Sequence, residues 1–345
     1  MNNKTVSLFS GGGGLDLGFK QAGYDIVWAI DNNQDAVNTY KRNVGNEIMY
    51  GDITTIDIHD IPKADIVIGG PPCQSFSLAG KRQCDDERGR LVWRYLEIIK
   101  RVSPKAFLFE NVVGLVSAKD KQGNKILDGL LKTFEEAGYH VSWHLVNAAD
   151  YGVPQLRKRV IIVGLQNGQF EFPATTHNDE GTDGKKRYVS VEDAIGDLPM
   201  AGTSGRISEH DYPTMSKLDQ YICSHVKPGG NYMDIPDEVP SVRIKRLKRD
   251  GGHTTCYGRM LPNKPAYTIN TYFNRPNVGC NIHYKHDRII TLREAMRLQT
   301  FPDSYEFVSK SKQGKNLIVG NAVPPHLAYV LATKLKEYLN WNLCG

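Results

Sequence analysis

The first 165 residues alternate short, apolar, β-prone runs with amphipathic helical stretches, and no other feature of the chain restricts its fold as much. The β-prone runs are Thr5–Phe9, Asp25–Ile30, Asp65–Gly69 and Lys105–Phe109, followed by His140–Val146 and Arg159–Leu165. Between them Leu15–Ala22, Gln34–Asn43, Leu91–Val102 and Lys125–Ala137 repeat apolar residues at helical spacing. A strand that returns to its sheet through a helix runs parallel to its neighbour. The pattern therefore predicts an α/β domain with a doubly wound, mostly parallel sheet covered on both faces. From Pro173 the pattern breaks. Residues 173–287 are rich in Gly, Pro, Asn, Asp, Tyr and Thr without clean periodicity, which predicts a second, smaller, loop-rich domain. Helical spacing returns at Thr291–Gln299 and Pro325–Leu339. A chain of 345 residues has room for about two such domains.

The formal net charge is +5, and the excess lies at the end of the chain, where residues 288–345 carry 8 basic against 4 acidic side chains. Arg243, Lys245, Arg246, Lys248 and Arg249 put five cations into seven residues, either a solvated face or a contact for a polyanion. No apolar run approaches the ~18–20 residues of a membrane span, and the N-terminus runs into its first strand without a leader pattern. The six cysteines (73, 84, 223, 256, 280 and 344) form no C-x-x-C pair, which fits free thiols in a reducing cytoplasm. Cys256, Cys280, His283 and His286 lack the paired spacing of zinc ligands, so no metal is expected.

Glycines 11–14 separate the first strand from its helix, where backbone can approach a ligand and helix N–H groups can face it. The dinucleotide pattern G-x-G-x-x-G fits no register, because positions 16 and 17 are Asp and Leu, and a nicotinamide dehydrogenase is excluded on that spacing. Asp31 ends the second strand, where an acid can accept ribose hydroxyls; Asp52 would close a third strand near the same cleft and could receive an adenine amino group. Both acids could equally be helix caps. The ligand reading points to an adenosine cofactor without a pyrophosphate. Gly69-Gly70-Pro71-Pro72-Cys73-Gln74 follows an apolar strand, and its two prolines fix the backbone that presents Cys73 at a strand's carboxyl end. A thiol there is a soft nucleophile once deprotonated.

Phe9-Ser10-Gly11-Gly12-Gly13-Gly14, the Pro-Pro-Cys-Gln segment, Phe109-Glu110-Asn111-Val112, Gln155-Leu156-Arg157-Lys158-Arg159, Arg293-Glu294-Ala295-Met296-Arg297-Leu298-Gln299 and Gly320-Asn321-Ala322-Val323 occur in that order. With these six strings the chain closely resembles the DNA (cytosine-5)-methyltransferases of bacterial restriction–modification systems, over residues 4–165 and 288–330. The resemblance implies the class I methyltransferase fold, S-adenosylmethionine as cofactor (S-adenosylhomocysteine as product), no metal, and double-stranded DNA as substrate. It makes Cys73 the nucleophile toward carbon 6 of cytosine and Glu110 the carboxyl group at ring N3, which it can hold only by donating or sharing a proton. Arg157 and Arg159 become cations beside the base carbonyl and its phosphate. Cofactor contacts carried over are Phe9, Gly11, Gly13, Asp31, Asp52, Ile53, Pro72, Leu91, Asn321 and Val323. A base inside a duplex must be swung out to reach a pocket. Residues 76–90 resemble the loop that closes on it, which gives Gln74, Ser77, Lys81, Arg82, Arg88 and Arg90, with Gln155, as DNA contacts. The sequence departs from the pattern at Asp31, Asn32 and Ala79, where relatives often carry Glu, Trp and Ser, and adenine stacking then falls mainly to Phe9.

The expected division is a catalytic part of residues 1–172 with 314–345, a target-recognition part of 173–287, and a hinge of 288–313. Within the recognition part the five cations from Arg243 to Arg249 become phosphate contacts. A monomer is expected, acting either as the protective half of a pair with a restriction endonuclease of the same site or as an orphan relative without one. Two other readings stay open. One is a tRNA cytosine-5 methyltransferase on the same scaffold, whose Cys-Phe-Thr string is not found here, since Cys280 precedes Asn281 and Ile282. The other is a DNA-binding relative without catalysis, against which Cys73 and Glu110 count.

Overall fold

The computed structural model describes residues 3–72, 87–120, 122–203 and 207–341. The chain forms two compact units: Met1–Asn147, Lys158–Ala174 and Pro325–Gly345 in unit 1, and Ala148–Arg157 and Thr175–Pro324 in unit 2. Residues 314–324, expected with the catalytic part, group with unit 2. No helix among the described residues is long and apolar enough to cross a membrane.

Unit 1 is built on a seven-stranded sheet of β1 (Asn3–Leu8), β2 (Tyr24–Asp31), β3 (Ile48–Tyr50), β4 (Ile66–Gly69), β5 (Ala106–Val112), β6 (His140–Asn147) and, beyond the two-residue β7 (Gln155–Leu156) of unit 2, β8 (Lys158–Leu165). Its order is β3-β2-β1-β4-β5-β8-β6. The first five strands are parallel, and β8 runs antiparallel between β5 and β6. The strand order reverses between β1 and β4, the switch point at which open α/β sheets leave a crevice at the carboxyl ends.

The helices of unit 1 are α1 (Gly14–Gln21), α2 (Gln34–Asn43), α3 (Glu87–Val102), α4 (Gly114–Ser117), α5 (Ile126–Glu136) and α11 (Pro325–Trp341). The expected loop through residue 90 therefore ends sooner, since Glu87–Arg90 already belong to α3. Alternate residues of the central strands (Val6 and Leu8, Phe107 and Phe109, Val160 and Ile162) bury against Tyr95, Ile98 and Ile99 of α3 and Leu130 and Phe134 of α5. The Tyr95 ring meets Phe109 edge-on at 5.2 Å, and its hydroxyl donates to the Leu108 carbonyl at 3.0 Å, so this buried phenol leaves no polar atom unmet. On α1, a Cβ at Gly18 would lie 2.4 Å from Ala328 Cβ of α11; only glycine lets these helices approach so closely.

Unit 2 has little sheet: β9 (His177–Asn178) pairs with β10 (Lys186–Arg187), and β11 (Ala266–Tyr267) with β7. Its helices α6 (Val191–Ile195), α7 (Lys217–His225), α8 (Val242–Asp250), α9 (Leu292–Leu298) and α10 (Lys312–Asn321) are short. Short helices are marginal alone. Each of these begins on a hydroxyl cap, Ser190, Ser216, Ser241, Thr291 or Ser311, which satisfies an otherwise orphaned N–H. A small core of Ile222, Val226, Tyr232, Ile235, Ile244, Tyr257 and Ile282 packs α7 and α8 against the loops around them. Before α9, Arg288 forks onto Glu294 at 2.8 and 2.7 Å, and Glu294 also completes the capping box with Thr291. His283 faces the same carboxylate at 3.5 Å, and burial pushes the imidazole down to about 3, so it stays neutral.

Candidate active site

The crevice of unit 1 opens where β1 turns into α1. Phe9 holds a φ of 56°, and Gly11 and Gly13 hold 56° and 87°. For a non-glycine residue the left-handed region costs about 1–2 kcal/mol, strain of the kind that packed surroundings hold in place at binding sites. A Cβ on Gly11 would meet nothing within 4 Å, so the turn leaves room beside its backbone that a ligand can take. The Gly11 N–H donates to Asp31 Oδ2 and the Asn33 N–H to Asp31 Oδ1, both at 2.8 Å. Burial pushes the Asp31 carboxyl above the usual carboxylate range, and these two donors pull it back. Asp31 is not the helix cap: Asn33 is, its Oδ1 accepting from the Asp35 and Ala36 N–H groups at 2.9 and 3.2 Å. That leaves Asp31 with lone pairs for hydroxyl donors at the end of β2.

The Asp31 carbonyl accepts the Gly51 N–H at 3.1 Å, which brings the next turn alongside. β3 stops at Tyr50, two residues before the end expected for it. Asp52 lies in the turn beyond, where its Oδ1 accepts from Thr54 N–H at 2.9 Å and Thr54 Oγ1–H at 2.8 Å. Ile53 is buried, and its carbonyl accepts from Arg94 Nε of α3 at 2.8 Å. Leu91, on the same helix, packs against the core below the crevice.

On the other side of the switch point, β4 runs out at Gly69, where a Cβ would sit 2.5 Å from the Leu8 carbonyl oxygen of β1. One residue later a Cβ on Gly70 would lie 2.7 Å from Glu110 Oε2, so the turn into Pro71-Pro72 presses its backbone against that carboxylate. Asn111 Nδ2 donates to the Pro71 carbonyl at 2.9 Å while its Oδ1 accepts the Val112 N–H at 2.8 Å, which pins the turn to the end of β5. Opposite, Arg159 of β8 pairs with Val112, and its Nε contacts Glu110 Oε1 at 2.9 Å; both side chains are 13% exposed. A nearly enclosed ion pair survives only when its partners are well matched, and removing either strands the other. Arg159 also donates through Nη1 to the Lys158 carbonyl at 2.8 Å. The result is a carboxylate and a guanidinium held rigidly beside a backbone turn at the carboxyl end of a parallel strand. Such a pair can hold a planar polar ring and stabilise charge developing on it.

Several sequence-derived sites sit otherwise than expected. Arg157 is fully buried in unit 2, where Nη1 and Nη2 donate to the Ile269 and Gly320 carbonyls at 3.0 and 2.9 Å. Its guanidinium is thus engaged with backbone rather than displayed to a base. Gln155, expected on DNA, is likewise buried: it donates to Leu298 O and Gln299 Oε1, both at 3.1 Å, and accepts the Ile269 N–H at 2.9 Å. Among the α8 cations, Lys248 pairs with Asp237 at 2.6 Å and Arg249 with Asp250 at 2.7 Å, while Arg246 lies 3.7 Å from Asp250; these are solvated helix pairs more than displayed charges. Asn321, exposed, ends α10 and Val323, buried, follows it, both in unit 2. Arg88 and Arg90 fall within α3. Cys73, Gln74, Ser77, Lys81 and Arg82 lie outside the described residues. The sequence reading assigned nothing to Gly70 or Asn111, although both stand inside the motifs that carried it. Asn111's side-chain amide beside a catalytic candidate was the available signal.

A family model described as C-5 cytosine-specific DNA methylase matches residues 3–337, spanning both units. The Type II methyltransferase M.NgoFVII of Neisseria gonorrhoeae is 39% identical over 345 residues, covering 98% of this chain and 88% of that protein. The Type II methyltransferase M.FnuDI of Fusobacterium nucleatum is 36% identical over 343 residues, covering 97% and 95%. Among solved structures, a prophage-encoded E. coli protein proposed to be a DNA modification methyltransferase is similar with a TM-score of 0.65 at 26% identity, over 98% of this chain and 100% of that one.

Proposed function

The chain belongs to the C-5 cytosine-specific DNA methylase family and is a DNA (cytosine-5-)-methyltransferase; from that premise we propose that it methylates carbon 5 of a cytosine turned out of a specific double-stranded sequence, through a transient bond between Cys73 and carbon 6. The observation that supports this most is the Glu110–Arg159 pair, held against the turn that runs on in sequence to Cys73.

S-adenosylmethionine, when bound, supplies the electrophilic methyl group. The open backbone at Gly11, the left-handed turn at Gly13, the ring of Phe9 and the carboxylate of Asp31 are the groups suited to its adenosine part, with Asp52, Ile53, Pro72 and Leu91 assigned to the same ligand on motif. Asn321 and Val323 are assigned to the cofactor on motif alone. Carbon 5 of cytosine is a poor nucleophile until the Cys73 thiolate adds to carbon 6. The electron pair displaced by that addition moves to N3, to which Glu110 donates in the protonated form it must take up when the base is bound, leaving Glu110 ionised beside Arg159 and carbon 5 enamine-like. Arg159, fixed through Nε, has Nη2 left for the base carbonyl. After transfer the carbon-5 proton passes to a water molecule, its electron pair re-forms the carbon 5–carbon 6 double bond as the sulfur–carbon pair returns to Cys73, and N3 gives its proton back to Glu110. Arg157 and Gln155 serve as positioning residues, anchoring the chain that leads to Arg159. Gln74, Ser77, Lys81, Arg82, Arg88 and Arg90 act on the DNA side. The enzyme works as a monomer on cytoplasmic DNA, protecting sites that an endonuclease of the same specificity cuts.

Bisulfite sequencing of a plasmid from a host expressing the protein names the target. A duplex with 5-fluorocytosine at that position, given the methyl donor, should then yield a protein–DNA adduct mapped to Cys73 by peptide mass spectrometry. Cys73→Ala should give none yet still bind the donor; an active enzyme that leaves no adduct overturns the covalent route. Glu110→Gln should lower turnover by about 10²–10³-fold with DNA affinity within a few-fold, and equal losses in both would refute its role.

A further inference from the structure

Sequence choice needs side chains that can reach a groove, and much of the cationic equipment of unit 2 already has partners within the protein. Lys248 and Arg249 have carboxylate partners, and Arg259 is enclosed by the Val226, Cys223 and His283 carbonyls and Asp287. Arg275 differs. It is exposed, and no carboxylate among the described residues pairs with it. Its guanidinium lies over the Tyr272 ring, 5.2 Å from the centroid, and Tyr272 is itself 46% exposed.

The turn beneath this pair is rigid. Tyr272 N–H donates to Asn270 Oδ1 at 2.7 Å, Arg275 N–H to the Tyr272 carbonyl at 3.0 Å, and Asn281 Nδ2 to the Arg275 carbonyl at 3.3 Å. Phe273 is 1% exposed and anchors the turn, and the Pro276 carbonyl accepts the Tyr257 N–H at 3.0 Å. Asn274 keeps a buried Oδ1 without a hydrogen-bond partner among the described residues, an unmet acceptor at the same turn. Two residues past Arg275, the Asn277 carbonyl accepts from Arg243 Nη2 of α8 at 3.2 Å, so a second, exposed guanidinium stands beside the first.

We propose that Tyr272–Arg275 is the base-reading turn of this enzyme: Arg275, oriented by Tyr272, reads the O6 and N7 of a guanine in the major groove, and Arg243 takes a neighbouring phosphate. The inference rests on the DNA reading above. A phosphate asks only for positive charge, and a mobile lysine serves it. A guanine edge asks for two donors in a fixed fork, and an arginine stacked on an aromatic face on a hydrogen-bonded turn has already lost the freedom that such a contact would cost.

The two arginines should therefore separate in one experiment. Genome-wide bisulfite sequencing of hosts expressing the full chain, or its R275A, R275K or R243A variant, reads the methylated sequence directly. R275A should relax one G·C position of the site, with discrimination there falling about tenfold to a hundredfold. R275K should relax the same position, because a point charge does not replace the fork. R243A should keep the site and lower binding evenly, with the salt slope of DNA affinity reduced by about 1. Binding of the methyl donor, measured by calorimetry, should be unchanged in all three, which shows them folded. An unaltered site in both Arg275 variants, or an even loss over all sequences, overturns the inference and leaves the proposed activity standing. Absence of 5-methylcytosine with the unmodified protein overturns both.

Discussion

Asp16 sits in the first turn of α1 with no exposed surface, and the Tyr40 hydroxyl donates to its Oδ1 at 3.0 Å. Burial pushes its carboxyl up to about 7; hydrogen bonds from Ser7 and Tyr40 pull it back, and Glu47 adds a little like-charge repulsion. The unfolded chain gives up this proton near pH 3.8, whereas the folded protein keeps it to about 7. Asp16 thus favours the fold fully below the lower value, and that contribution drains away as pH rises through the window between them. Asp16→Asn should flatten this part of the stability–pH curve and raise stability at pH 8 by roughly 1–3 kcal/mol. Urea unfolding at several pH values checks it, and an unchanged slope would mean that the acid is solvated. The residue lies two positions past Gly14, the last glycine of the turn, yet nothing in its surroundings marks it for the reaction; its cost is structural.

At the scale of elements, short contacts between backbones set what the strands and helices can hold. Gly69 against Leu8 keeps β4 and β1 at hydrogen-bonding distance at the switch point, and Gly70 against Glu110 brings the following turn onto β5. Gly18 does the same between α1 and α11, where a Cβ would stand 2.4 Å from Ala328 Cβ and 2.5 Å from the Pro325 carbonyl oxygen. Neither neighbour is the free end of a flexible side chain, so the helices must part. Gly18→Ala should cost about 2–3 kcal/mol despite alanine's better helix propensity. Thermal unfolding measures this, and a gain in melting temperature would show that α11 yields. Helix α8 teaches the complementary lesson. Its cations are plain in the sequence, as is Asp250 at its end, but Asp237 had to be folded onto Lys248 before their net effect could be stated.

Across the whole molecule, the chain passes from unit 1 to unit 2 and back within Ala148–Arg157, and Gln155 and Arg157 anchor that excursion on the unit 2 side. Gln155→Ala strands the Ile269 N–H and the Leu298 carbonyl, and should lower stability by about 2–4 kcal/mol while leaving the DNA affinity of the folded fraction unchanged. A loss of affinity at full folding would return Gln155 to the DNA contacts. The doubly wound sheet and the glycine turn were legible beforehand, because strand and helix periodicities and turn chemistry are local properties of a chain, whereas Glu110 and Arg159 became candidates only through the family resemblance of their motifs. The antiparallel pairing of β8 between β5 and β6 was not, nor was the burial of Gln155 and Arg157. Arg157 finds its carbonyl partners 112 and 163 residues away, and Gln155 meets Gln299 144 residues on. A sequence states which side chains carry charge or hydrogen-bonding groups. Whether such a group faces a ligand or is met inside the protein depends on which distant segment the fold packs over it, and only the tertiary structure decides that.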